Sequence, residues 1–170
     1  MSTRHTVIST HIGDLLLVAD DDALVGVYFE GHAYPPAEDQ LGDRVDAADD
    51  ALLAQAGREL TEYLAGDRHS FDVPVRTDGD ALSERVWARL RAIPYGSTTT
   101  YGQIAAELGN RHLAQRVGQA VGHNPLSIIV PCHRVLGADG SLTGFAGGLD
   151  RKRALLDLEE PEPSAAGRLF

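Results

Sequence analysis

Only one sulfur nucleophile is available to this chain. Cys132 is its sole cysteine, so it cannot close an internal disulfide or join other thiolates around a metal. What remains open to it is the chemistry of a lone thiol, nucleophilic attack, and that requires ionisation from an ordinary pKa of about 8.5. The next residue, His133, supplies an imidazole that could take the proton directly or through a water. A histidine used in this way needs an acceptor on its second nitrogen, ideally a carboxylate held at fixed geometry, and Glu159 is the candidate. Each residue also has an inert reading. Free cysteine is among the most buried residue types, and Glu159 beside Glu160 reads equally as a solvated helix end. The setting of the cysteine argues for chemistry. It follows the apolar run Leu126-Ser127-Ile128-Ile129-Val130, which reads as a strand stopped by Pro131. His133 and Arg134 would be costly to bury unpaired, which places the sulfur at the mouth of a pocket.

The elements that must position these groups fall into two parts. Runs Thr6–Ser9, Leu15–Ala19 and Leu24–Phe29, separated by Gly13-Asp14 and by three aspartates, read as an antiparallel meander. From Val45 to Ala65 apolar residues recur at helical spacing until Gly66, and Phe71–Val75 reads as a short strand. The polar stretch Thr77-Asp78-Gly79-Asp80 is the candidate linker. Beyond it come a helix over Ala81–Ala92 ending at Pro94, then two short helical runs, Tyr101–Leu108 and His112–Val121, around Gly109-Asn110-Arg111. That pair has helix-turn-helix spacing, although any corner between two helices has the same signature. A hairpin-like Gly137-Ala138-Asp139-Gly140, a glycine-rich loop over 144–148 and a final helix Asp150–Glu159 follow, with a tail from Pro161 that reads as disordered. The domains expected are therefore 1–77 and 78–160, with 161–170 as tail.

Charge divides at the same place. The whole chain carries a net charge of -10, yet residues 85–156 hold nine Lys and Arg against three acids, a net of +6. A polyanion would meet this segment. The longest apolar stretches are far below the roughly 18 residues of a membrane span, and the N-terminus shows no basic-then-apolar leader pattern, so a cytoplasmic protein without membrane association is expected.

The run Asn124-Pro125-Leu126-Ser127-Ile128-Ile129-Val130-Pro131-Cys132-His133-Arg134-Val135 closely resembles the active-site signature of the 6-O-alkylguanine-DNA alkyltransferases, also called methylated-DNA–protein-cysteine methyltransferases. The likeness extends upstream through Ile93-Pro94-Tyr95-Gly96 and Thr100-Tyr101-Gly102-Gln103-Ile104-Ala105, and downstream through Gly144–Leu149 and Leu155-Leu156. It covers nearly all of residues 82–159, while the acidic N-terminal part matches only in outline.

The resemblance implies an α+β protein: an N-terminal antiparallel-sheet, ribonuclease-H-like domain, then a mostly helical, winged helix-turn-helix-like domain. It implies Cys132 as alkyl acceptor, His133 as its base through a bound water, Glu159 orienting His133, and Asn124 as a hinge between recognition helix and active-site loop. Tyr101 would help to turn the target nucleotide out and donate to the base. Val130, Phe145, Ala146 and Gly147 would line the base pocket beside Tyr101. DNA contacts are implied for Tyr101, Gly102, Gln103 and Arg111, and also for Gln115, Arg116 and Arg134. Two positions depart from the family pattern. Gln115 stands where an arginine usually fills the gap left by the flipped base, with Arg116 one residue on, and Phe145 stands where a tyrosine is common. The cysteine ligands of the family's occasional zinc site are missing, so no metal and no other cofactor is expected.

The implied reaction is a displacement in which the thiolate takes the alkyl carbon and guanine leaves. A flipped base is physically required, because a stacked O6-alkyl carbon lies out of reach of a protein sulfur. With no second thiol to resolve the thioether, each molecule acts once, on alkylated double-stranded DNA and as a monomer. Two other readings compete: a non-enzymatic sensor of alkylated DNA, disfavoured because the cysteine is present, and a cysteine hydrolase using Cys132, His133 and Glu159. In the latter the adjacent Cys-His pair is awkward for direct proton transfer and a helix-turn-helix would serve no purpose.

Overall fold

The structure is a computed structural model that describes residues 2–160; the expected tail lies outside the described residues. Strands β1 (Thr3–Thr10), β2 (Gly13–Asp20) and β3 (Ala23–Phe29) form the antiparallel meander, and the two-residue β4 (Asp43–Arg44) runs parallel to β1, giving the order β3-β2-β1-β4. The inward face of β2 and β3, with Leu15, Leu17, Leu24 and Val27 all fully buried, packs on α1 (Ala51–Leu64). Helix α1 presents Leu53, Ala56, Leu60 and Tyr63 along one buried stripe.

Helix α1 starts at Ala51, later than the apolar periodicity from Val45 suggests. Local hydrogen bonds explain the difference. The Val45 amide donates to the His5 carbonyl at 2.9 Å, Asp46 caps a single 3-10 turn over Ala47–Asp49, and Asp50 caps α1 by accepting from the Leu53 amide at 3.0 Å.

Phe71–Val75 is not a strand, contrary to its composition. Only Val75 bridges the sheet, beside Leu24. The amides of Asp72 and Val73 donate to the buried Glu59 carboxylate of α1, at 2.9 and 3.1 Å, so a side chain takes the place of a strand ladder.

The second part comprises α2 (Ala81–Arg91), β5 (Thr99–Thr100), α3 (Tyr101–Glu107), α4 (Ala114–Gly122), β6 (Val135–Leu136) and α5 (Leu149–Glu159). Helix α4 begins two residues after the expected His112, because Asn110 accepts from the His112 amide at 2.9 Å and tightens Arg111–Leu113 into a 3-10 turn. Trp87 of α2 donates its indole N–H to the Ala120 carbonyl at 2.8 Å, one of the last-turn carbonyls of α4 that have no partner within the helix. β5 and β6 pair in parallel. The stretch 137–140 forms a turn and no hairpin: the Gly137 amide donates to the Ser141 carbonyl at 2.9 Å, and no strand follows.

The segment before the cysteine also differs from its sequence pattern. Leu126–Val130 is a tight turn and not a strand, with Ile128 at φ 73°, a left-handed conformation that costs a β-branched residue roughly 1–3 kcal/mol. Strand β3 clamps that turn across the two parts of the chain: the Val27 amide donates to the Pro125 carbonyl at 2.8 Å and the Ser127 amide to the Val27 carbonyl at 3.2 Å.

The Glu59 cap yields a stability prediction. Burial pushes the Glu59 pKa up, but the hydrogen bonds from Gln55, Val73 and Asp72 outweigh it and leave a net lowering. Its stabilisation is therefore complete above the unfolded carboxylate range and fades as pH falls through the folded value. Glu59→Ala is expected to lose about 1–3 kcal/mol in urea unfolding at neutral pH, the cost of leaving buried amides unpaired, and to differ less from the parent protein in acid.

Candidate active site

Cys132 opens a single 3-10 turn over Cys132–Arg134, immediately after Pro131. It is 5% exposed and lines a cavity of about 340 Å³ with Tyr101, Gly118, Val121, Gly144, Phe145 and Ala146, among others. Asn124 fixes the turn from beneath: its Nδ2 donates to the Val130 carbonyl at 2.8 Å and its Oδ1 accepts from the Leu126 amide at 3.0 Å. Burial pushes the Cys132 thiol up to about 11; a hydrogen bond with Asn124 and the Lys152 charge act in the opposite direction. The resting sulfur is a thiol, and ionising it needs help.

Glu159 and His133 meet below the cysteine turn. Glu159 Oε2 lies 2.8 Å from His133 Nε2, and both side chains are inaccessible to solvent. Arg134 clasps the same carboxylate as a fork, Nε to Oε1 at 2.7 Å and Nη2 to Oε2 at 2.8 Å, and its Nη1 donates to the Ile93 carbonyl at 2.6 Å. The Tyr63 hydroxyl, from α1, donates to Glu159 as well. Arg134 was expected on the DNA surface, but it is 7% exposed and turned inward onto Glu159. His133 and Arg134 are buried after all, because Glu159 supplies the pairing whose absence would have made burial costly.

These contacts determine protons. Burial raises the Glu159 pKa, but the hydrogen bonds from His133, Arg134 and Tyr63 prevail and bring it to about 2, so the carboxylate is ionised at neutral pH. An ionised carboxylate only accepts, hence His133 carries its proton on Nε2. Burial, helped by the Arg134 and Lys152 charges, lowers the His133 pKa despite Glu159, so the ring is neutral. Its Nδ1 is buried and has no protein partner. That nitrogen is an available base.

Reading the sequence missed three residues that shape the pocket. Lys152 is fully buried and donates to the carbonyls of Thr143 at 2.8 Å and Gly144 at 3.2 Å, with its ammonium 6.0 Å from the Tyr101 ring. Arg151 donates to the carbonyls of Gly147, Glu30 and Ile12, and so fastens the 144–148 loop to the first sheet. Tyr63 is the third. The signal was present in α5, whose buried positions Lys152, Leu155 and Glu159 share one helical face; two of the three are ionisable, which marks an inward-facing polar site. Gly147 is required by packing, since a Cβ there would come within 2.4 Å of the Phe29 ring, the ring on which Phe145 also rests.

The expected DNA-facing residues separate into groups. Gln103, Arg111, Gln115 and Arg116 are exposed, and a Cβ on Gly102 would meet no protein atom. Gln115 lies one turn before Gly118, on the side of α4 that lines the cysteine cavity. Arg116 lines a separate cleft with Asp80, Ser83 and Trp87. Val130, expected in the base pocket, is fully buried and contributes its carbonyl to Asn124. Among the described residues no group of His, Cys, Asp and Glu is arranged to hold a metal ion.

Residues 3–77 match the family model for the ribonuclease-like domain of 6-O-methylguanine DNA methyltransferase, and residues 81–161 match the model for its DNA-binding domain. A methylated-DNA–protein-cysteine methyltransferase of Mycobacterium tuberculosis is 40% identical over 167 residues, 98% of each chain. The chain belongs to the methylated-DNA–protein-cysteine methyltransferase family. Another member, from Methanosarcina acetivorans, is 41% identical over 91% of this chain and 97% of its own. Among solved structures, Mycobacterium tuberculosis OGT in complex with DNA superposes with a TM-score of 0.83 at 40% identity, covering 92% of each chain. The α+β architecture of this methyltransferase thus agrees with the expectation from sequence.

The Glu159 cluster makes stability in acid depend on one carboxylate. Its folded pKa is depressed, so its contribution is complete above about pH 4.5 and is lost as pH falls towards about 2. Glu159→Gln is expected to destabilise the methyltransferase by about 3–5 kcal/mol at neutral pH, the cost of leaving buried Arg134 without its counter-charge. In urea unfolding the gap from the parent protein should narrow below pH 4.5; a gap independent of pH would contradict the assignment.

Proposed function

We propose that this methyltransferase repairs DNA by transferring the alkyl group from O6 of guanine to Cys132, once per molecule. The observation that carries the reading is the sole cysteine on a base-sized cavity, underlain by a neutral imidazole whose Nε2–H is held by a buried carboxylate. The thiol proton passes through a bridging water to Nδ1 of His133, and the thiolate attacks the alkyl carbon. The S–C bond forms as the C–O6 bond breaks, the electron pair leaves with guanine, and Tyr101 supplies a proton to the leaving base. Burial raises the Tyr101 pKa, so its hydroxyl keeps that proton until it is needed. His133 becomes an imidazolium beside Glu159, which stabilises the charge until the ring returns its proton through water to the Tyr101 phenolate, restoring both groups. The thioether has no second thiol to resolve it, so repair is stoichiometric.

The DNA contacts belong to the same proposal. Residues 1–77 serve as the supporting domain and 78–160 carry the DNA-binding and acceptor functions. Helices α3 and α4 approach the minor groove of double-stranded DNA, which suits a search for damage regardless of sequence. Gln115 fills the gap left by the extruded base, since it shares the cavity-facing stripe of α4 with Gly118, and Arg116 contacts phosphate. The protein acts as a cytoplasmic monomer; among the described residues no helix is long and apolar enough to cross a membrane.

Incubation with a duplex containing one O6-methylguanine, followed by mass analysis of peptides, tests the reading. One methyl group is expected on Cys132 with full conversion at one equivalent, and Cys132→Ala is expected to bind the duplex without acquiring it. Methyl loss from the duplex without modification of Cys132 would overturn the proposal. Retained binding without transfer would indicate a sensor.

A further inference from the structure

The pocket wall has a contributor outside the cysteine-bearing half of the chain. Ala33 and Tyr34, in the loop after β3, line the cavity together with Cys132 and Tyr101. Tyr34 is 52% exposed, unusual for a large aromatic side chain in the described residues, yet its ring is held. It stacks on His123 with ring centroids 3.9 Å apart and planes 19° apart. The loop beneath it is tied to the opposite wall, because the Ala33 amide donates to the Ala146 carbonyl at 2.8 Å.

Two glycines of α4 explain how the rings fit. Gly118 and Gly122 are one turn apart on the same helical face. A Cβ on Gly118 would touch the Tyr101 ring at 3.8 Å, and one on Gly122 would touch the Tyr34 ring at 3.7 Å. The absent side chains let the two tyrosines, one from each part of the chain, pack one turn apart against the helix face that lines the cavity.

We propose that Tyr34 is a specificity-determining residue of the acceptor pocket: braced on His123 and seated over Gly122, its ring bounds the space beside Cys132 and limits the size of the alkyl group that is transferred. The assignment rests on the repair reading above. A rigid aromatic wall excludes bulk more effectively than a flexible one, and the Tyr34 ring is braced by its stack on His123. The hydroxyl is not involved in this role.

The test compares methyl and benzyl transfer to Cys132 from two duplexes, one carrying O6-methylguanine and the other O6-benzylguanine, for the unaltered protein, Tyr34→Ala and Tyr34→Phe. Tyr34→Ala is expected to raise the benzyl-to-methyl rate ratio by about tenfold, the order of discrimination that a hydrophobic pocket provides, while Tyr34→Phe keeps the original ratio. Thermal unfolding of both variants should match the parent protein, since the side chain is half-exposed. An unchanged ratio in Tyr34→Ala, or an equal fall for both groups, overturns the size-limiting role while leaving the repair reading intact. Failure of the unaltered protein to accept either group overturns both.

Discussion

The Glu159 carboxylate gathers Tyr63 from the first helix, His133 and Arg134 from the cysteine turn, and its own position on the last helix into one buried cluster. Removing a carboxylate from water costs several kcal/mol, and that cost is offset only when good geometry and further hydrogen bonds accompany the counter-charge. Here Arg134 provides the counter-charge and the fork geometry, and Tyr63 adds a hydroxyl. The consequence reaches the chemistry. Burial, aided by the Arg134 charge, keeps His133 neutral although Glu159 favours its charged form, so the carboxylate orients the ring without forcing a second proton onto it. The ring is anchored through Nε2 and remains basic at Nδ1, as required for activating a thiol that burial has made reluctant to ionise.

The same cluster unites the two halves of the chain. Tyr63 lies on α1, and Val27 of β3 grips the turn before the cysteine. On the other side of the pocket, Arg151 and the Ala33 amide hold the 144–148 loop against the first sheet. The acidic N-terminal half is thus the anvil on which the reactive turn, with its left-handed Ile128, is held.

Much of this was visible in the residues themselves. The meander follows from alternation and turn residues in 3–29, and helix α2 follows from apolar spacing that ends before Pro94. Two runs with strand composition are not strands, for different reasons. Phe71–Val75 has strand composition, but Glu59, more than ten residues away in sequence, captures its amides. Leu126–Val130 is apolar because it is buried, and apolar runs do not distinguish a strand from a buried turn. The resemblance puts Arg134 on the DNA surface, whereas the side chain is buried because it is paired, and its partner lies 25 residues further on. Local patterns report local structure; pairings across the fold are decided by packing, which one sequence does not display. The nine basic residues of 85–156 illustrate the same point, since Arg134 and Lys152 are buried and do not contribute an open cationic surface.

The protonation of the His133 imidazole can be read by nitrogen-15 NMR through a pH titration. A neutral ring with its proton on Nε2 is expected, and no titration near the ordinary histidine pKa of about 6.5. A ring protonated on both nitrogens at neutral pH, or carrying its single proton on Nδ1, would contradict it.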